Sequence, residues 1–167
     1  MPAVVIPYRG DAKRRVSPPL RAALAVAMLG DVVEAALLVG RVLVVTDDPG
    51  EGMGAAVAAG LALVDGHALV VNADLPAATP DALHRLADTG LALVEAADGT
   101  TNALSFPDPT LFAPLYGSGS ADRFRAYAPF TTASIPELEL DVDCDADLGQ
   151  LPAALGGRTR ALLAVPA

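Results

Sequence analysis

The sequence predicts a single α/β domain of three layers, in which helices cover both faces of a mixed, mostly parallel β-sheet. Short apolar segments of strand length alternate with longer helical segments through the first half of the 167 residues, which is the pattern of parallel strands joined by helical crossovers. One of these segments, Ala68–Val71, is apolar on both faces, as expected of a strand in the middle of a sheet. In the second half, two strands joined by a tight turn predict an antiparallel addition.

The elements of the first half follow from apolar runs bounded by proline and glycine. In order, they are a strand over residues 4–6 ended by Pro7, a helix over about 20–38 after Ser17-Pro18-Pro19, the strand Arg41–Thr46, a helix from the glycine-rich residues 50–54 to about residue 63, the strand Ala68–Val71, and a helix from Thr79-Pro80 to near Asp88. The prolines after Ser17 and Thr79 suit the first helical turn, where no N–H is needed.

The second half is predicted from turn residues and alternating polarity. In order, it holds a strand over residues 91–97, the turn Asp98-Gly99, the strand Thr101–Phe106, a short helix over about 121–126, a strand over 134–142, and a last helix from Asp147. No internal repeat and no linker interrupts the chain, so one domain over residues 1–167 is expected.

Composition and charge exclude several classes of protein. The net charge is −9, with 4% aromatic residues, which is unsuitable for general nucleic-acid binding. The mean hydropathy is +0.44, but the longest uncharged runs have 13 residues, fewer than the ~20 of a membrane-spanning helix. One cysteine, Cys144, excludes an internal disulfide. With no secretion signal at the N-terminus, we expect a cytoplasmic protein.

The charges are concentrated in two segments. Five of the 11 basic residues fall between Arg9 and Arg21, and six of the 20 acids occupy alternate positions from Glu137 to Asp147. The basic segment follows the first strand and is suited to binding the triphosphate group of a nucleotide. The alternative is a basic loop that is solvated or paired with acidic residues. Of the acids, Asp145 and Asp147 are expected at the positive N-terminus of the last helix.

Three aspartates make up a candidate metal site. Asp74 follows the apolar strand Ala68–Val71 and is expected at the carboxyl edge of the sheet, where α/β folds bind ligands, or else in a turn or cap. Asp141 and Asp143 alternate with apolar residues, so both carboxylates are predicted on one face of a strand end. Together the three would form an all-oxygen cluster suited to Mg²⁺, and a solvated acidic face is the alternative.

Other polar clusters are weaker signals. Gly117-Ser118-Gly119-Ser120 precedes a helix and offers N–H groups and hydroxyls to an anion, although such turns are common. The cluster 100–102 could simply close a turn. Neither GxxxxGK[ST] nor GxGxxG occurs, so P-loop and dinucleotide-binding folds are not indicated. His67 and His84 are expected to be structural, and Cys144 is a weak nucleophile candidate.

Taken in order, several motifs resemble a known enzyme family. They are Ile6-Pro7 with Ala12-Lys13-Arg14-Arg15, Val44-Val45-Thr46-Asp47-Asp48, Asn72-Ala73-Asp74-Leu75-Pro76, Asp98-Gly99-Thr100-Thr101-Asn102-Ala103-Leu104, Tyr116-Gly117-Ser118-Gly119-Ser120 and Leu140-Asp141-Val142-Asp143. This set resembles the 2-phospho-L-lactate and phosphoenolpyruvate guanylyltransferases of coenzyme F-420 (deazaflavin) biosynthesis. The resemblance implies a nucleotidyltransferase fold like that of nucleotide-diphospho-sugar transferases, known as GT-A-like.

The resemblance also implies roles for individual residues. Mg²⁺ would be held by Asp74, Asp141 and Asp143, and the phosphate of the acceptor acid by Thr101, Gly117 and Ser120. GTP would be bound by Lys13, which would also be catalytic, and by Arg15, Gly52 and Gly54. The implied substrates are GTP and phosphoenolpyruvate or 2-phospholactate, with no nucleic acid or membrane as partner; the oligomeric state is not predicted.

The chain departs from this family in one region. The family has a further strand and helix between the Thr-Asp-Asp turn and the glycine-rich segment, whereas here Thr46-Asp47-Asp48 runs almost directly into residues 50–54. Two alternatives therefore stay open. One is a related nucleotidyltransferase with another nucleotide or acceptor, and the other is a catalytically reduced paralogue that binds a phosphorylated metabolite or a protein.

Overall fold

A β-sheet lies at the centre of the protein and carries helices on both faces. A computed structural model describes residues 1–9, 16–46 and 52–164, and within them the sheet has six strands in the order β2-β1-β3-β5-β4-β6. The strands are β1 (Ala3–Tyr8), β2 (Arg41–Thr46), β3 (Ala68–Val71), β4 (Ala92–Glu95), β5 (Thr101–Phe106) and β6 (Thr131–Thr132). The helices are α1 (Pro18–Leu37), α2 (Gly52–Leu61), α3 (Pro80–Asp88), α4 (Ser120–Tyr127), α5 (Pro136–Glu139), α6 (Asp145–Leu148) and α7 (Gly157–Leu163), with a 3-10 turn at Pro109–Leu111.

Alternate residues of the strands face two separate cores, which confirms the three layers. Val4 and Ile6 of β1 face the core closed by α1 and α3. Val5, the residue between them, faces the core closed by α2 and α4. Both cores are apolar, so the central strands carry apolar side chains on both faces, as the sequence of Ala68–Val71 indicated.

The sheet is mixed, and its one reversed strand, β5, defines an edge for the site. β1 runs parallel to β2 and β3, whereas β5 runs antiparallel to β3 and β4. Because β5 is reversed, its first residues lie beside the carboxyl end of β3. The polar residues that follow β3 and those that begin β5 therefore share one edge of the sheet.

Pro7 does not end the first strand, contrary to the expectation. β1 continues to Tyr8 on its β2 side, while its register with β3 stops at Val5. The N–H of Ala3 donates towards the β3 side, to His67, so by alternation the nitrogen of Pro7 faces the same side. β3 no longer pairs with the strand at that point, and proline is tolerated because no ladder hydrogen bond is lost.

The predicted strand over residues 134–142 is wrong. The chain leaves the sheet after Ala133, whose N–H donates to Leu93, and turns into the short helix α5 with Pro136 in its first turn. Its apolar residue Leu138 is buried in the core closed by α1 and α3. The alternation of acidic and apolar residues that suggested a strand arises because Leu138 and Val142 are buried, whereas the acids between and beyond them are half-buried or exposed.

The predicted last helix from Asp147 is also wrong in its boundaries. Two helices occupy this region, α6 at Asp145–Leu148 and α7 at Gly157–Leu163. α7 packs on α1, and buried Asp31 of α1 accepts hydrogen bonds of 2.9 Å from the N–H groups of Arg158 and Thr159. Among the helices of the described residues, none has both the length and the apolarity that crossing a bilayer requires.

Candidate active site

Three aspartates converge where β3 ends. Asp74 lies just beyond β3, and Asp141 and Asp143 lie in the extended segment between α5 and α6. The N–H of Val142 donates to the carbonyl oxygen of Asp74 at 3.2 Å, which fixes this segment beside the end of β3. Val142 is buried, so its two neighbours project on the other side of the chain. One carboxylate oxygen from each aspartate lies within 4.8 Å of the others.

The cluster concentrates negative charge in a partly buried place. Burial, together with the nearby carboxylates of Asp74 and Asp143, raises the pKa of Asp141 to about 6. The apposed carboxylates therefore oppose ionisation of Asp141, and a cation among them would relieve the repulsion. An all-carboxylate donor set suits a hard divalent cation such as Mg²⁺. The residues thus fit the metal that the resemblance implies.

Asn102 anchors this cluster, a role that the sequence did not reveal. Its side chain is 1% exposed, and its Nδ2 donates to the carbonyl oxygens of Leu138 and Glu139 at 3.1 Å and to Oδ1 of Asp141 at 3.4 Å. The amide thereby ties the segment that carries Asp141 to the start of β5. An amide at the start of a buried strand was the available signal, but it is equally typical of a turn.

The acids that follow the cluster hold the chain. Oδ2 of Asp147 accepts hydrogen bonds of 2.8 Å from the N–H groups of Asp143 and Cys144, which confirms its predicted place in the first turn of a helix, here α6. Asp145 also lies in that turn, but its carboxylate accepts from the N–H and hydroxyl of Ser17 at the start of α1. Both contacts fix the far side of the extended segment.

A hydroxyl pair lies in the same cleft. The hydroxyls of Thr101, at the start of β5, and Ser120, at the start of α4, are 2.9 Å apart, and both residues are buried. The preceding loop turns at Gly117 and Gly119, whose φ angles of 115° and 68° favour glycine. The structure therefore brings together Thr101, Gly117 and Ser120, the residues predicted to bind a phosphate.

The first turn of α2 forms the opposite wall. Gly52 has a φ of 81°, and a Cβ at Gly54 would lie 2.7 Å from Cβ of Pro114, so only glycine allows this approach of α2 to the segment before Tyr116. Arg9 lines the same wall. Lys13 and Arg15, and with them most of the basic segment, lie outside the described residues.

These groups line one cleft of about 630 Å³. Its volume is within the range of small-molecule sites, about 300–1,000 Å³. All the predicted site residues that the structure describes contribute to its lining: Gly52, Gly54, Asp74, Thr101, Gly117, Ser120, Asp141 and Asp143. The cleft is therefore large enough for a small-molecule ligand beside the three carboxylates.

Two of the weaker candidates lie outside this cleft or at its margin. Nε2 of His67 is 2.9 Å from the hydroxyl of Ser105 on β5, and burial lowers the pKa of this histidine, which agrees with a structural role. Cys144 is half-buried at the start of α6. Its backbone N–H binds Asp147.

Comparison with known proteins identifies relatives over almost the whole length. Residues 14–128 match the family described as MobA-like NTP transferase domain. A 2-phospho-L-lactate guanylyltransferase of Natrialba magadii is 31% identical over 208 residues, covering 94% of this chain and 88% of the relative. A phosphoenolpyruvate guanylyltransferase of Thermomonospora curvata is 36% identical over 180 residues, covering 87% of this chain and 79% of the relative.

Solved structures agree with the fold. A protein of Desulfovibrio desulfuricans assigned to the nucleotide-diphospho-sugar transferases superposes with a TM-score of 0.66 at 15% identity, over 98% of this chain and 94% of that one. At this identity the likeness concerns the fold alone. It confirms the predicted GT-A-like architecture with its mixed, mostly parallel sheet.

Proposed function

Since the chain belongs to the MobA-like NTP transferase family, and within it to the 2-phospho-L-lactate and phosphoenolpyruvate guanylyltransferases, we propose that it transfers GMP from GTP to one of these two acids. The observation that carries the proposal is the convergence, in one cleft, of three carboxylates and a loop of glycines and hydroxyls. The reaction would belong to coenzyme F-420 biosynthesis in the cytoplasm.

The carboxylate cluster is suited to a magnesium ion. Asp74, Asp141 and Asp143 would hold it, because each offers an oxygen within 4.8 Å of the other two. When bound, Mg²⁺ would neutralise charge on the phosphates of the nucleotide and on the developing pyrophosphate. In the protein itself, Asn102 and Asp147 keep the cluster assembled through their bonds to the chain on either side of it.

The chemistry requires no general base. The nucleophile is a phosphate oxygen of the acceptor, which is ionised at neutral pH because the second pKa of a phosphate monoester is about 6. This oxygen forms a bond to the α-phosphorus of GTP, the bond from that phosphorus to the oxygen bridging to the β-phosphate breaks, and pyrophosphate leaves with the electron pair. Catalysis then consists of positioning and charge compensation.

The two ends of the cleft suit two ligands. Thr101 and Ser120 offer hydroxyls, and Gly117 and its neighbours offer backbone N–H groups, to the phosphate of the acceptor. Gly52 and Gly54 allow close approach of the nucleotide on the opposite wall, and we assign Lys13 and Arg15 to its triphosphate. Hydroxyls and backbone amides would then recognise the acceptor phosphate at this end of the cleft.

The direct test is pyrophosphate release by the purified protein with GTP, Mg²⁺ and either acid. We expect release with at least one acid, loss of release on chelation with EDTA, and recovery with added Mg²⁺. Asp141→Asn should abolish turnover, while Asp81→Asn, an exposed acid of similar size in the first turn of α3, should leave it unchanged. No release with either acid at any metal concentration would refute the proposal.

Two other outcomes distinguish the alternatives. Turnover with another nucleoside triphosphate would assign a related nucleotidyltransferase, and a nucleotide panel in a thermal-shift assay identifies it because a bound ligand stabilises the fold. Binding of the acid and Mg²⁺ without any turnover would assign a reduced paralogue.

A further inference from the structure

Arg123 lies on α4, three residues after Ser120, and its guanidinium contacts main-chain carbonyls. Its Nε and Nη2 donate to the carbonyl oxygen of Leu115 at 3.1 and 2.9 Å, Nη2 also donates to Tyr116 at 3.1 Å, and Nη1 donates to Ser118 at 2.6 Å. Among the described residues, no carboxylate pairs with it. The planar guanidinium thus donates hydrogen bonds to three carbonyl oxygens of one loop.

These contacts determine where the amides of the loop point. In a trans peptide the N–H points opposite to the C=O, and none of the described peptide bonds is cis. Because the carbonyls of Leu115, Tyr116 and Ser118 face Arg123, the N–H groups of Tyr116, Gly117 and Gly119 face away from it. Within the described part of the chain, no backbone carbonyl accepts from these three N–H groups.

The other carbonyls of the loop are occupied as well. The oxygen of Gly117 accepts from the N–H of Ser120 at 3.0 Å, and that of Gly119 accepts from the N–H of Arg123 at 3.4 Å. With its acceptors turned inwards, the loop offers donors to the cleft, which Tyr116, Gly117 and Ser120 line. This arrangement is suited to an anion.

We propose that Arg123 is a positioning residue, which holds the 115–119 loop so that its amides bind the phosphate of the acceptor acid. The proposal rests on the function proposed above and adds to it the residue on which the acceptor site depends. Arg123 itself acts from behind the loop, through the carbonyls. Its positive charge also favours an anion on the other side of the loop.

The test compares Arg123→Ala with Arg125→Ala, a matched control on the same helix. The guanidinium of Arg125 binds the side chains of Glu95, Asp122 and Thr132, and none of its contacts is to the loop. We expect Arg123→Ala to raise KM for the acceptor about tenfold or more, since small misplacements in a site are costly, with KM for GTP within about twofold of the original. Arg125→Ala should leave both KM values unchanged.

Rescue separates positioning from general instability. Millimolar methylguanidinium should restore the acceptor KM of Arg123→Ala, because it can donate to the carbonyl oxygens that have lost the arginine. It should not change the acceptor KM of Arg125→Ala. Arg123→Lys keeps the positive charge but lacks the planar guanidinium, so its KM for the acceptor should lie between those of wild type and Arg123→Ala. It replaces Arg123→Ala in the test if the alanine variant does not fold. Equal changes in both KM values, or no change in either, would overturn the proposal.

A second readout does not need turnover. In wild type, titration with inorganic phosphate should shift the amide NMR signals of residues 116–119. Arg123→Ala should lose these shifts, and Arg125→Ala should keep them. If wild type transfers no nucleotide, the proposed function fails, and the phosphate titration still decides the role of Arg123: identical shifts in wild type and Arg123→Ala would refute it.

Discussion

Replacing Asp141 with asparagine should stabilise the metal-free protein while abolishing its activity. Burial and the two neighbouring carboxylates raise the pKa of Asp141 from 3.8 to about 6. A shift of about 2 units corresponds to about 3 kcal/mol at about 1.4 kcal/mol per unit. Because the carboxylate is partly exposed, solvent screening reduces this to about 1–2 kcal/mol.

The sign follows from proton linkage. The folded protein holds a proton on Asp141 more tightly than the unfolded chain, so this residue makes folding less favourable as the pH rises from 3.8 to about 6. Asparagine has no such penalty. The stability advantage of Asp141→Asn should be absent near pH 4, grow through pH 6 and be complete by about pH 7.5.

Thermal unfolding in EDTA measures the effect. At pH 7.5 we expect Asp141→Asn to melt about 2–8 °C above wild type, from about 2–4 °C per kcal/mol for a protein of this size. Saturating Mg²⁺ should reverse the order, because metal at 100 times its Kd stabilises wild type by about 2.7 kcal/mol. Asp81→Asn is the control and should melt slightly lower, since Asp81 lies in the first turn of α3.

Either of two results would refute this reasoning. One is a metal-free Asp141→Asn that melts below wild type at pH 7.5, which would mean that the carboxylate is favourable where it lies. The other is an equal rise of the melting temperature with Mg²⁺ in wild type and Asp141→Asn, which would mean that the ion binds elsewhere.

Three further predictions concern the groups around the site. Thr101→Val keeps the shape but removes the hydroxyl that faces Ser120, so KM for the acceptor should rise about tenfold for the loss of about 1.4 kcal/mol; an unchanged KM in steady-state assays would contradict the assignment. Asn102→Ala leaves two carbonyls and Asp141 without their donor and should cost about 1–3 kcal/mol; urea unfolding should show that loss, and calorimetry should show weaker Mg²⁺ binding. Asp31→Ala removes the carboxylate that fixes the start of α7 and should cost about 1–2 kcal/mol in urea unfolding, with both KM values unchanged because no residue of α7 lines the cleft.

The sequence could predict the parts of the fold in which local pattern and packing agree. Ala68–Val71 was predicted with its observed bounds because four consecutive apolar residues between turns are typical of a buried strand. The segment 134–142 was not, since its alternating polarity describes which side chains face a core and says nothing of the backbone between them. There, Pro136 and the end of the sheet at β6 decide for a helical turn.

The candidate site divides in the same way, into groups that face the ligands and groups that hold them. Aspartates after a strand and glycines before a helix are visible as motifs, because their chemistry is shared by many sites. The anchoring roles of Asn102 and Arg123 are not visible in the sequence, because most of what they bind is main-chain carbonyl oxygen, which every residue carries. Each nevertheless ties one half of the cleft to a rigid element, Asn102 to β5 and Arg123 to α4. Side chains that hold backbone are therefore where the structure adds most to the sequence, since their partners are set by the path of the chain rather than by residue type.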